Sequence, residues 1–120
     1  MFRIGVKGIA ICNGRPHQYA KVVLAHHYKW KGTRPKIMDG EVTQSNGRFS
    51  LSGSMQTFMA MVPFVSIIHR CGQSKGSRCR KITNVKIAPE LLFKGRSSRY
   101  EKYLGLVDLS TLPVQKIVCE

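Results

Sequence analysis

A chain of 120 residues, 42% of them hydrophobic, has room for one domain and one core and is too apolar to be a disordered segment. Twenty Lys and Arg against six Asp and Glu give a net charge of +14, and the self-repulsion of so basic a domain points to an anionic partner: nucleic acid, sulfated glycan or an acidic membrane surface. The cations run from Arg3 to Lys116 with no block of five, which excludes a basic tail, and no apolar run reaches the length of a membrane-spanning helix.

In chain order the pattern is all-β. Residues 2–11 interleave Ile4, Val6, Ile9 and Ile11 with Arg, Lys and Gly at nearly period two, and Asn13-Gly14 follows as a tight turn. Met1-Phe2-Arg3 leads directly into this strand, so a secreted protein is expected to stand here as its mature form, behind an added start methionine. A second strand is expected over 20–28. Residues 41–44 and 48–52 flank Ser45-Asn46-Gly47, a hairpin signal. Residues 63–69 form the most apolar run and read as a central strand. Residues 82–87 alternate again up to Pro89, and 100–109 and 114–118 complete about eight strands, with turn signals at the 8–12-residue spacing of a sandwich or barrel. The one helical candidate is 89–94, where Leu91-Leu92-Phe93 would pack a single turn on the sheet edge.

Cys12, Cys71, Cys79 and Cys119 form an even set, which in a short chain predicts two disulfides and an oxidising compartment. Three connectivities are open. The local pairing Cys71–Cys79 is favoured, and Cys12–Cys119 would then tie the two ends together. A zinc site from His69, Cys71 and Cys79 lacks the paired C-x2-C spacing of structural zinc, so neither metal nor cofactor is expected.

The chain resembles the nematode transthyretin-like family through an ordered series of short motifs: Val6-Lys7-Gly8, Cys12-Asn13-Gly14-Arg15-Pro16, Val22-Val23-Leu24, Asn46-Gly47-Arg48-Phe49, Leu51-Ser52-Gly53, His69-Arg70-Cys71, Cys79-Arg80-Lys81, Ile87-Ala88-Pro89, Lys94-Gly95 and Leu104-Gly105-Leu106-Val107-Asp108-Leu109. The resemblance spans nearly the whole chain. It implies a secreted, extracellular, transthyretin-like antiparallel β-sandwich of one domain, residues 1–120. One branch of that family is associated with phosphatidylserine on dying cells and with bridging that surface to an engulfment receptor. Two departures stand out: Arg70, Lys75, Arg78, Arg80 and Lys81 surround the second cysteine where relatives are acidic or polar, and the stretch after Ser54, Met55-Gln56-Thr57-Phe58-Met59-Ala60-Met61, is apolar where relatives are polar.

No catalytic residue is assigned. The hydroxyisourate-opening relatives of transthyretin need a His and Arg constellation and a C-terminal Tyr-Arg-Gly-Ser, whereas this chain ends Ile117-Val118-Cys119-Glu120. His17, His26, His27 and His69 read as ordinary strand and loop residues. Asp39 or Asp108 would have to supply any carboxylate partner, and no Ser sits in a nucleophile elbow. A binding protein, and not an enzyme, is expected.

If strands alternate in direction, three connections leave one end of the sandwich. They carry Lys29, Trp30, Lys31, Arg34 and Lys36, then Met55, Phe58 and Met59, then Lys94, Arg96 and Arg99. Cations gain about 1 kcal/mol each near anionic lipid, and Trp, Phe and Met enter the interface. A calcium bridge would need an acidic cluster that the chain lacks. The competing reading makes Phe58, Met59 and Met61 the start of the core strand, Trp30 a cap on the sandwich edge, and the cations simply solvated. The basic group Lys75, Arg78, Arg80 and Lys81 falls at the opposite end, where it would serve a receptor or glycan. Alternatives to an anionic-phospholipid adaptor are a carrier of an apolar small molecule and a heparan-type glycan-binding protein. Nucleic acid is disfavoured by the cysteines and by the absence of any binding motif.

Overall fold

In the computed structural model, alternation decides the strands. Along β1 (Phe2–Cys12) Ile4, Val6 and Ala10 are buried while Arg3 and Lys7 are exposed. The same period-two burial recurs in β5 (Arg48–Met55), with Phe49 and Leu51 inward, and β6 (Met61–His69), with Val65 and Ile67 inward, whereas β3 (Lys21–Tyr28) is buried continuously from Val22 to His26, with Val22 and Leu24 facing the core. The remaining strands are β2 (Arg15–Pro16), β4 (Lys36–Val42), β7 (Cys79–Lys86), β8 (Arg99–Asp108) and β9 (Lys116–Cys119). The structure describes residues 2–28, 35–55, 61–73, 76–87 and 99–119. Among these there is no helix, and the helical candidate at 89–94 lies outside them.

Two sheets face each other. In one, β1 pairs antiparallel with β2 and β5 and parallel with β8. The other has the order β4-β3-β6-β7-β9, antiparallel throughout. The chain is an all-β sandwich, as expected from the sequence. Ile4, Val6, Leu24, Leu51, Val65, Ile67 and Ile87 fill the space between the sheets. Each such side chain contributes roughly 1.5–3 kcal/mol when fully removed from water.

The Asn13-Gly14 turn is the expected two-residue hairpin, with φ 52° and 80° and Ile11 and Cys12 opposite Pro16 and Arg15. The Asn46-Gly47 turn differs from expectation. Its amide closes on the Gln44 carbonyl at 2.8 Å, but the strands on either side lie in different sheets, so the turn is a crossover and not a hairpin. Only glycine fits at Gly47: φ is 78°, and a Cβ there would strike the Ala10 carbonyl oxygen.

The disulfides correct the favoured pairing. The bonds are Cys12–Cys71 and Cys79–Cys119, not Cys71–Cys79 with Cys12–Cys119. Cys71 follows the inward phase of β6, is buried, and meets Cys12 of the facing sheet at a Cα separation of 5.7 Å. Cys79 lies directly across the β7–β9 ladder from Cys119. Proximity in sequence loses to the position of β9 beside β7.

Candidate functional site

The register places the strand ends in two groups. Tyr28 lies opposite Met61, His26 opposite Lys36, Phe2 opposite Met55 and Arg3 beside Arg99. The connections from β3 to β4, β5 to β6 and β7 to β8 therefore begin and finish at one end of the sandwich. Of the residues expected to bind lipid, Lys29, Trp30, Lys31, Arg34, Phe58, Met59, Lys94 and Arg96 lie outside the described residues. Met55 closes β5 and Arg99 opens β8 at this end.

Lys36 is exposed at the start of β4 and borders a groove of about 540 Å³ with Arg3, Ile37, Met38, Ser54 and Glu101. Ile37 is 68% exposed on its rim. The groove exists because the two sheets come together here at Gly53, where a Cβ would stand 2.6 Å from that of Met38. Arg3 and Ile37 went unnoticed in the sequence, since 34 positions separate them and only the approach of β4 to β1 and β5 unites them. Behind this end His26 is buried, its Nδ1 unpartnered among the described residues, and burial, then Lys36 and His27, lower its pKa.

The opposite end carries both disulfides. His69 is 2% exposed. Its Nδ1 accepts the Cys71 N–H at 3.1 Å, which leaves the hydrogen on Nε2 to be donated to the Thr83 hydroxyl at 2.9 Å. Burial first, then the neighbouring His17 and Lys81, lower its pKa to about 4, so the ring is neutral near pH 7. The His17 ring meets it edge-on, centroids 6.0 Å apart, and burial lowers the His17 pKa too. These two rings form the back of a cleft of about 430 Å³ whose mouth carries Tyr19, Lys21, Arg70 and Arg80. Arg80, one of the second basic group, joins the cleft. Arg78 is exposed nearby in sequence, Lys81 is half-buried beside His69, and Lys75 lies outside the described residues.

A family comparison decides the ancestry of this scaffold: the model for TTR-52, the transthyretin-like family, matches residues 7–88. The chain belongs to the transthyretin-like family. Similar transthyretin-like chains from Caenorhabditis elegans are transthyretin-like protein 2, 24% identical over 88% of this chain and 73% of that one, and transthyretin-like protein 5, 29% identical over 88% and 75%. Transthyretin-like protein 46 is 25% identical over 91% of this chain and 60% of its own length. Two solved structures share the sandwich at a TM-score of 0.50. A 9R-lipoxygenase from Cyanothece PCC8801 is 13% identical, with 91% of this chain matched to 16% of that one, and an (S)-allantoin synthase is 14% identical, with 94% matched to 43%. At such identities they share the fold alone. Among the described residues of this transthyretin-like chain, no three His, Cys, Asp or Glu side chains group as metal ligands, and no helix is long and apolar enough to cross a membrane.

Proposed function

We propose that this transthyretin-like protein is a secreted adaptor that holds anionic phospholipid, with phosphatidylserine as the preferred headgroup, and bridges that surface to an engulfment receptor. The observation that carries the reading is the groove at the end where three connections converge. There Arg3 and Lys36 flank an exposed Ile37, a pairing of cation and apolar side chain suited to a headgroup region. By sequence the converging connections add Lys29, Lys31, Arg34, Lys94 and Arg96 together with Trp30, Phe58 and Met59, with Met55 and Arg99 at the strand ends. Arginine pairs with phosphate through two parallel hydrogen bonds, and lysine serves phosphate or carboxylate as a point charge. No chemical turnover is involved.

Co-sedimentation with phosphatidylserine, phosphatidylglycerol and phosphatidylcholine vesicles at two salt concentrations, with and without chelator, tests this. The expected result is preference for phosphatidylserine, insensitivity to chelator, partial survival at moderate salt, and loss in Arg3→Ala/Lys36→Ala and in Trp30→Ala. Equal binding to both anionic lipids would reduce the reading to bulk charge. No vesicle binding at low salt would remove it and favour a carrier of an apolar small molecule, read as a ligand-dependent rise in melting temperature.

A further inference from the structure

From the cleft at the disulfide end, remote from the lipid-facing groove, we infer a binding site for a sulfated oligosaccharide, held by Lys21, Arg70 and Arg80 with the ring of Tyr19 as a stacking platform. Three observations carry it. The first is unspent charge: no acidic residue lines the cleft, and none of the three cations has an ion-pair partner among the described residues.

The second is the backbone of Tyr19. Its φ is 64°, a left-handed conformation that a bulky side chain rarely adopts, yet its side chain is 78% exposed and gains no packing in return. The conformation is imposed from beneath. The Thr43 hydroxyl donates to the His17 carbonyl and accepts the Ala20 N–H, the Tyr19 N–H bonds the Thr43 carbonyl, and the Thr43 N–H bonds the Ala20 carbonyl. Strain held in place by neighbours, with an aromatic ring projected into solvent beside three cations, is the arrangement of a ligand clamp.

The third distinguishes a sugar from a peptide. Lys21, Ile68 and Arg80 lie on β3, β6 and β7, each of which is hydrogen-bonded on both edges. No free backbone ladder is offered to an acidic peptide, so recognition falls to side chains alone. Lys21 pairs with Ile68 and Ile68 with Ile82, so Arg80 stands two strands across and two residues along from Lys21, about 12 Å at ordinary sheet spacing, which suits anionic groups repeated along a chain.

Titration calorimetry with a heparin-derived tetrasaccharide tests the site, with a hyaluronan tetrasaccharide as the unsulfated control and polyglutamate as the peptide control. The sulfated sugar is expected to bind, hyaluronan to bind far more weakly, and each arginine to account for about tenfold in affinity, so that Arg70→Ala/Arg80→Ala loses about a hundredfold. Tyr19→Gly relieves the backbone and is expected to raise the melting temperature while weakening sugar binding, a combination that a merely structural Tyr19 would not produce. The pair Arg3→Ala/Lys36→Ala separates this site from the lipid reading: it should leave sugar affinity intact while abolishing vesicle binding. Equal loss of sugar affinity in both pairs, or tighter binding of polyglutamate than of the sulfated sugar, would overturn the inference.

Discussion

The Thr43 hydroxyl is buried between the His17 carbonyl and the Ala20 N–H, so a valine there, equal in shape, leaves both groups without a partner. Thr43→Val is expected to lower the unfolding free energy by about 3 kcal/mol in chemical denaturation, and Thr43→Ser to restore most of it. His69 acts through its charge state. Its folded pKa is about 4 against 6.5 for an ordinary histidine, so between those values the unfolded chain binds the extra proton. Stability is therefore constant with respect to this group above pH 6.5 and declines as pH falls toward 4, by at most about 3 kcal/mol. His17 and His26, also lowered, act with the same sign. Urea midpoints measured from pH 7 to pH 4 should fall along this course, and more gently in His69→Gln.

At the scale of elements, β4 and β5 exchange an unusual contact. Asp39 and Glu41 face the interior side of the edge strand β4, and their carboxylates accept the backbone N–H groups of Ser52 and Ser50 on β5 in the other sheet. Two of six acidic residues thus cover an open sheet edge that would otherwise present unpaired donors. Asp39→Ala/Glu41→Ala should cost about 2 kcal/mol in denaturation. Light scattering should also detect stronger concentration-dependent association than in the parent protein. The same contact explains why β4 is hard to read from the sequence: Ile37 and Val42 are exposed and the carboxylates face inward, so no apolar alternation marks Lys36–Val42, and the Ser45-Asn46-Gly47 turn signal alone places a strand, at 41–44. Where the core face is apolar, as in β1, β3, β5 and β6, the expected and observed strands agree to within a few residues. The groove and the cleft were less legible. Lys21, Arg70 and Arg80 become neighbours only through the β3-β6-β7 order, which no periodicity encodes.

For the whole molecule, strand order also governs the covalent framework. The bridges close loops with separations of 59 and 40 residues, and on the chain-entropy argument each restricts the unfolded state by about 4 kcal/mol. Cys12→Ser/Cys71→Ser and Cys79→Ser/Cys119→Ser should each lose about that much by guanidinium denaturation, the first pair slightly more. Both bridges sit at the end that carries the oligosaccharide cleft. Reduction should therefore loosen sugar binding before vesicle binding, which a titration of both activities against dithiothreitol would register.

The two disulfides also act in series under tension. A pull between Phe2 and Cys119 runs along β1 to Cys12, passes to Cys71, follows the short segment to Cys79 and leaves through Cys119. Residues 13–70 and 80–118 are bypassed. Even fully unravelled, the oxidised chain would lengthen to only about 70 Å, against about 400 Å when reduced. The longest dimension of the folded protein is 47 Å. A molecule stretched between two surfaces would thus behave as a nearly inextensible tether, whose slack is set by redox state and not by folding.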